Sequence, residues 1–160
     1  MRPLHIAVFA ALLPLTALAQ EAAAPDAPPP EAPPQEVAAF GPLPAAEVVF
    51  ADQLYVKRPL VVFADSPNDP NYLRQMELLS REYPDLDERD VILVTDTDPE
   101  GRSEWRQKLR PRGFSLVIMD KDLRPVVRKP NPWTVREITH AIDKLPLRRQ
   151  EMLEQNPAGR

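Results

Sequence analysis

The chain has 160 residues, 43% of them hydrophobic and 28% charged, with 21 prolines, no cysteine and a formal net charge of −4. The absence of cysteine excludes disulfide cross-links, thiol oxidoreductase or peroxidase chemistry, thiolate zinc sites and iron–sulfur clusters. Basic residues are scattered among a slight excess of acids, which gives no footprint for nucleic acid or for an anionic membrane.

Residues 1–19 read as a secretory signal peptide. Arg2 supplies the positive start, Leu4 to Leu18 is apolar apart from His5 and Thr16, and Ala17-Leu18-Ala19 is a small-x-small cleavage site. The apolar run is shorter than the ~20 residues of a spanning helix and contains Pro14. With no cysteine after the cleavage site, a lipoprotein anchor is chemically impossible. The expectation is a chain exported to the periplasm or the cell exterior, with no membrane span once the signal is removed.

Residues 20–46 include eight prolines among 27 residues and one aromatic, Phe40. Such a stretch favours extended polyproline II and buries too little apolar surface to offset the entropy of ordering. It reads as a disordered, semi-rigid spacer rather than as a docking ligand, since no Arg or Lys flanks the prolines. Residues 47–155 then form one domain by length, and 156–160 a flexible C-terminus.

Within that domain, residues 47–56 fit a short helix or an edge strand equally well. Leu60-Val61-Val62-Phe63-Ala64 is a continuous apolar run, the mark of a strand buried on both faces. Asp69-Pro70 supplies an N-cap and a proline at the first helical position. Tyr72, Met76, Leu79 and Tyr83 then make one apolar face, which Pro84-Asp85 ends. Val91 to Val94 is a second strand. Asp98-Pro99 repeats the cap-plus-proline start of a helix that runs to Leu109 with Trp105 one turn earlier. Phe114 to Met119 and Pro125 to Arg128 form a hairpin around Asp120-Lys121-Asp122. Thr134 caps a last helix whose apolar stripe is Val135, Ile138, Ile142 and Leu145. The predicted order is β-α-β-α-β-β-α.

This order resembles a minimal thioredoxin-like domain, which implies an α/β three-layer sandwich on a mixed sheet of about four strands. Leu60 to Asp65 is similar to the thioredoxin strand that leads into the redox loop. The positions of the Cys-x-x-Cys pair fall on Pro67 and Pro70, and Gly113-Phe114 stands where thioredoxins keep a cis-proline. Residues of about 55–152 resemble an uncharacterised exported bacterial family of thioredoxin- or peroxiredoxin-like domains of unknown function. A similar domain occurs in some animal extracellular-matrix proteins with sushi repeats. The strand, the Asp120-Lys121-Asp122 turn and the tail Leu145-Pro146-Leu147-Arg148-Arg149-Gln150-Glu151-Met152 carry the likeness, which speaks to fold more than to activity.

Four aspartates, Asp65, Asp69, Asp96 and Asp98, fall at one edge if the first two strands are parallel neighbours. Asp65, Asp96 and Asp98 are candidate ligands for a hard cation, against a solvated acidic rim in which two members serve as caps. Asp96-Thr97-Asp98 also resembles the Asp-x-Asp pair of haloacid-dehalogenase-type phosphatases, but the remaining motif positions are absent and only about 60 residues follow. His140 falls off the last helix's apolar stripe and lacks a nucleophile to serve. Trp105 and Trp133 are expected to anchor helices, and Arg124, Arg128, Lys129, Arg148 and Arg149 to sit on a solvated face among acids. The reading is a non-redox, non-enzymatic binding or assembly domain of the cell envelope. Its partner is an unidentified protein or envelope component, its binding face Asp65, Ser66, Asn68 and Asp69, and no cofactor is implied. The competing reading is a metal-dependent hydrolase or phosphatase using Asp65, Asp96 and Asp98.

Overall fold

The computed structural model describes residues 40–155. The expected signal peptide, the proline-rich arm before Phe40 and residues 156–160 lie outside the described residues. The elements run β1 (Leu43–Pro44), a 3-10 helix (Ala51–Gln53), β2 (Arg58–Phe63), α1 (Pro70–Ser80), α2 (Tyr83–Asp87), β3 (Val91–Asp96), α3 (Glu104–Leu109), β4 (Ser115–Met119), β5 (Pro125–Lys129), α4 (Val135–Ile142) and α5 (Pro146–Gln155). They build an α/β three-layer sandwich on a mixed five-stranded sheet ordered β1-β3-β2-β4-β5.

β2 lies at the centre, parallel to β3 and antiparallel to β4, and all six of its residues are buried. Its alternation decides the two layers. Leu60 and Val62 face a core with Leu79, Leu86, Ile138 and Ile142 from α1, α2 and α4. Val61 and Phe63 face the other core, closed by Trp105 and Leu109 of α3. The stripe predicted for the last helix is buried throughout, and Thr134 and Glu137 form a reciprocal capping box ahead of it. Gln75, fully buried on α1, exchanges two hydrogen bonds with the Trp133 backbone (2.8 and 2.9 Å), so its amide is satisfied inside the core.

Four boundaries outside the candidate site differ from the sequence reading. Residues 40–46 belong to the fold rather than to the arm. Leu43 and Pro44 pair with β3, Phe40 packs on Tyr83 at 5.2 Å, and Ala45 is buried. The expected four-stranded sheet therefore has a fifth, two-residue edge strand. Residues 47–56 are turns around the 3-10 helix, held because Val48 O accepts the Trp105 indole N–H at 2.7 Å and Phe50 packs tilted against that ring at 4.8 Å. Pro84-Asp85 does not end α1, which stops at Ser80; Pro84 sits in the first turn of α2, where a missing N–H costs nothing.

The fourth difference is α5, a helix that apolar periodicity does not announce because its inner face is charged. Arg58, only 1% exposed, donates to Asp120 Oδ1 (3.3 Å), Arg89 O (2.9 Å) and Glu151 Oε1 (2.8 Å). Lys121 Nζ also reaches Glu151 (3.0 Å) and Asp90 (2.8 Å). Arg148 is buried beside Asp143 and Glu151, which corrects its expected place on a solvated face; Arg149 is exposed. The charged tail is thus a tether joining α5 to the start of β2 and to the hairpin turn.

Burial pushes the Glu151 carboxyl up, but hydrogen bonds and charge from Arg58 and Lys121 outweigh it and hold the group below the ordinary carboxylate range. A lowered folded-state pKa contributes stability above the unfolded value and loses it as pH falls through the folded one. Glu151→Gln is therefore expected to be less stable than the parent above about pH 4.5, with the gap closing on further acidification. Urea unfolding of both chains across the acidic range reads that gap, and a gap independent of pH would contradict the assignment.

Candidate functional site

β2 and β3 are parallel, so their C-terminal ends deliver Ala64, Asp65 and Asp96 to one edge of the sheet. The loop after β2 is built by its own short side chains. Ser66 Oγ accepts the Asn68 N–H at 3.2 Å, and Asp69 Oδ1 accepts the N–H groups of Asn71 (2.8 Å) and Tyr72 (3.1 Å), capping α1 with Pro70 at its first position. Asp69 is therefore spent on the helix. Asp65, Pro67, Asn68 and Asn71 are exposed, and the Asp65 side chain is 61% accessible.

Asp96 is in the opposite condition. It is buried, and Arg106 of α3 meets it through Nη2 (3.0 Å) and Nε (3.2 Å) at Oδ1. Asp98 N–H donates to the same oxygen at 3.1 Å, and the Ser103 hydroxyl donates to Oδ2. Arg106 Nη2 further donates to Ala64 O (2.8 Å) and Asp96 O (3.2 Å), the guanidinium stacks 5.5 Å from the Phe63 ring, and Nη1 lies 3.5 Å from Asp65. One side chain thereby joins the ends of both strands. Sequence reading missed it; the signal was Asp96 itself, since a carboxylate closing a buried strand needs a cation.

Asp98 does not cap α3, contrary to the predicted start. Its Oδ1 accepts the Glu100 N–H (3.0 Å) in a local turn, and a Cβ on Gly101 would stand 2.7 Å from Oδ2. The cap is Ser103, whose Oγ accepts from Arg106 N at 3.1 Å, so the helix begins five residues later than Asp98-Pro99 suggested. Asp65 and Asp96 share the Arg106 guanidinium, while Asp98 touches Asp96 only through its backbone N–H. Among the described residues, no three His, Asp or Glu side chains are spaced to hold a metal ion. A cavity of about 210 Å³ beside this edge is lined by Pro44, Ala45, Thr95, Asp96, Asp98 and Ser103 among others.

Across the loop, Gly113 precedes β4 with φ of 58°, and Asp65 Oδ2 lies 3.9 Å from where its Cβ would be. The described residues contain no cis peptide bond, so the connection turns through a left-handed glycine. His140 is exposed on α4, Trp105 is fully buried, and Trp133 packs half-buried against the core under Lys129 Nζ (4.3 Å from the ring).

Residues 50–151 match the family described as a domain of unknown function, DUF4174. The chain belongs to that family. A search of curated proteins gives no match. Among solved structures the chain is similar to the crystal structure of chloroplastic thioredoxin z, with a TM-score of 0.51 and 19% identity over 66% of this chain and 92% of that one. That likeness establishes a thioredoxin-like fold. In this DUF4174 domain the loop that leads from β2 into α1 carries Pro67 and Pro70 and no thiol. Among the described residues no helix is long and apolar enough to cross a membrane.

Because Ser103 both caps α3 and donates to Asp96, Ser103→Ala is expected to lower stability by about 1–2 kcal/mol. Thermal or urea unfolding checks this; an unchanged midpoint would mean that neither contact contributes.

Proposed function

We propose that this domain is a non-redox binding or assembly module, exported to the cell envelope, that meets a protein partner through the loop from Asp65 to Asn71. The observation that carries the reading is the division of labour at the strand ends. The buried carboxylate, Asp96, is engaged inside the protein, and what faces outward, with Asp65, is a proline-flanked loop held by its own side chains. Asp96 accepts from Arg106, Ser103 and the Asp98 backbone. A carboxylate so committed is a poor nucleophile and a poor cation ligand, which favours binding over hydrolysis at this edge. Asp65 and Asn68 remain exposed on a loop whose backbone is held by Ser66 and Asp69. Such preorganisation lowers the entropy cost of recognition.

The test places a photo-crosslinking amino acid at Asn68, and separately at the exposed His140, in the full chain expressed in its own cells. The expected result is a discrete protein adduct from position 68 alone, lost when Asp65 and Ser66 are also changed to Ala. Equal labelling from both positions, or an adduct indifferent to Asp65 and Ser66, contradicts the assignment. Turnover of a generic phosphate ester that Asp96→Asn abolishes would overturn the binding reading in favour of catalysis.

A further inference from the structure

Beside the Asp65 loop, where Gly113 faces Asp65 and Ser115 pairs with Phe63, three arginines line one open cavity of about 400 Å³, with Phe114, Ser115 and Pro130. Its wall contains no carboxylate. Arg110, Arg112 and Arg128 are exposed and make no ion pair with a described residue, a condition they share with Arg102, Arg136 and Arg149; what sets them apart is that they line one cavity. In a chain of net negative charge, an unmatched cluster of this kind is a local feature rather than a consequence of composition.

The Arg110 backbone and the Arg128 side chain are held in place. Arg110 ends α3 in the left-handed region at φ 47°, and its N–H donates to Arg106 O (2.9 Å). Arg128 of β5 pairs in register with Val117, which packs in the core that α3 closes, and its Nη2 donates to Leu109 O at 2.7 Å. That bond leaves the other N–H groups of the guanidinium available. Ser115, 4% exposed, lines the wall, Pro130 adds apolar surface, and Phe114 adds only the 7% margin left by its packing in the core with Leu60 and Leu79.

Three arginines lining one space gather like charge there, which a bound oxyanion would neutralise. The planar fork of Arg matches phosphate oxygens two at a time. The volume exceeds the needs of a bare ion and falls in the range of about 300–1,000 Å³ typical of small-molecule sites. We propose that this cavity binds a small organic phosphate, with the phosphoryl oxygens on Arg110, Arg112 and Arg128 and the organic body against Phe114 and Pro130.

Titration calorimetry and thermal unfolding of the full chain with inorganic phosphate and with phenyl phosphate test the proposal, using sodium chloride at matched ionic strength as control. Both phosphates are expected to bind and to raise the melting temperature, phenyl phosphate more tightly because it also fills the apolar wall. Arg112→Gln and Arg110→Asn should each weaken phenyl phosphate about tenfold, the loss of one charge-assisted contact. Asn tolerates the left-handed backbone at position 110, so that variant keeps the turn. Stabilisation no greater than that from sodium chloride, or affinity unchanged in both variants, overturns the site. Equal affinity for the two phosphates overturns the organic ligand.

Discussion

Arg106 and Asp96 form an ion pair on which the strand-end edge of the domain, its candidate binding face, depends. Asp96 closes β3, the parallel neighbour of the central strand, and its carboxylate is 4% accessible. Unpaired, such a charge would cost several kcal/mol. Arg106 answers it from α3 and also takes the main-chain oxygens of Ala64 and Asp96, so the ends of β2 and β3 and the start of α3 are fixed by one guanidinium. Ser103 joins the same cluster while capping that helix. What stays exposed at the edge is the proline-flanked turn, together with Asp65, which Arg106 reaches at 3.5 Å but leaves 61% accessible.

The opposite end of β2 is held by the same physical device. Arg58 lies in the first position of the strand, almost without solvent contact, and draws in the hairpin turn, the segment before β3 and α5. A strand of six buried residues has no outward face by which to be positioned, and here arginines fix both of its ends. The family match over residues 50–151 spans both clusters, from just before Arg58 to Glu151. The thioredoxin-like architecture is thereby retained around a loop from which thiol chemistry is absent.

Much of this was legible in the residues. The apolar runs at Leu60 and Val91, the capped start of α1 and the stripe from Val135 to Leu145 are local patterns, and local patterns predict local structure. Two of the misses, α5 and β1, come from partnership across the sequence, and the start of α3 from local turn chemistry. α5 is helical on account of charges that meet Arg58 ninety-three residues away in sequence, and no hydrophobic period signals that. Leu43 and Pro44 become a strand only because β3 offers an open edge. Asp98-Pro99 carries the composition of a helix start, yet Asp98 turns back on Glu100 and Ser103 takes the role. At the site, the acidic residues were visible in sequence and the cation that governs them was not.

The most direct test of this account is a double-mutant cycle on Asp96→Asn and Arg106→Met, read by urea unfolding. If the pair organises the strand ends, each single change leaves its partner stranded, and the double mutant recovers part of the loss with a coupling energy of about 2 kcal/mol or more. Losses that add to within about 0.5 kcal/mol would show that the two side chains act independently, and would contradict the account.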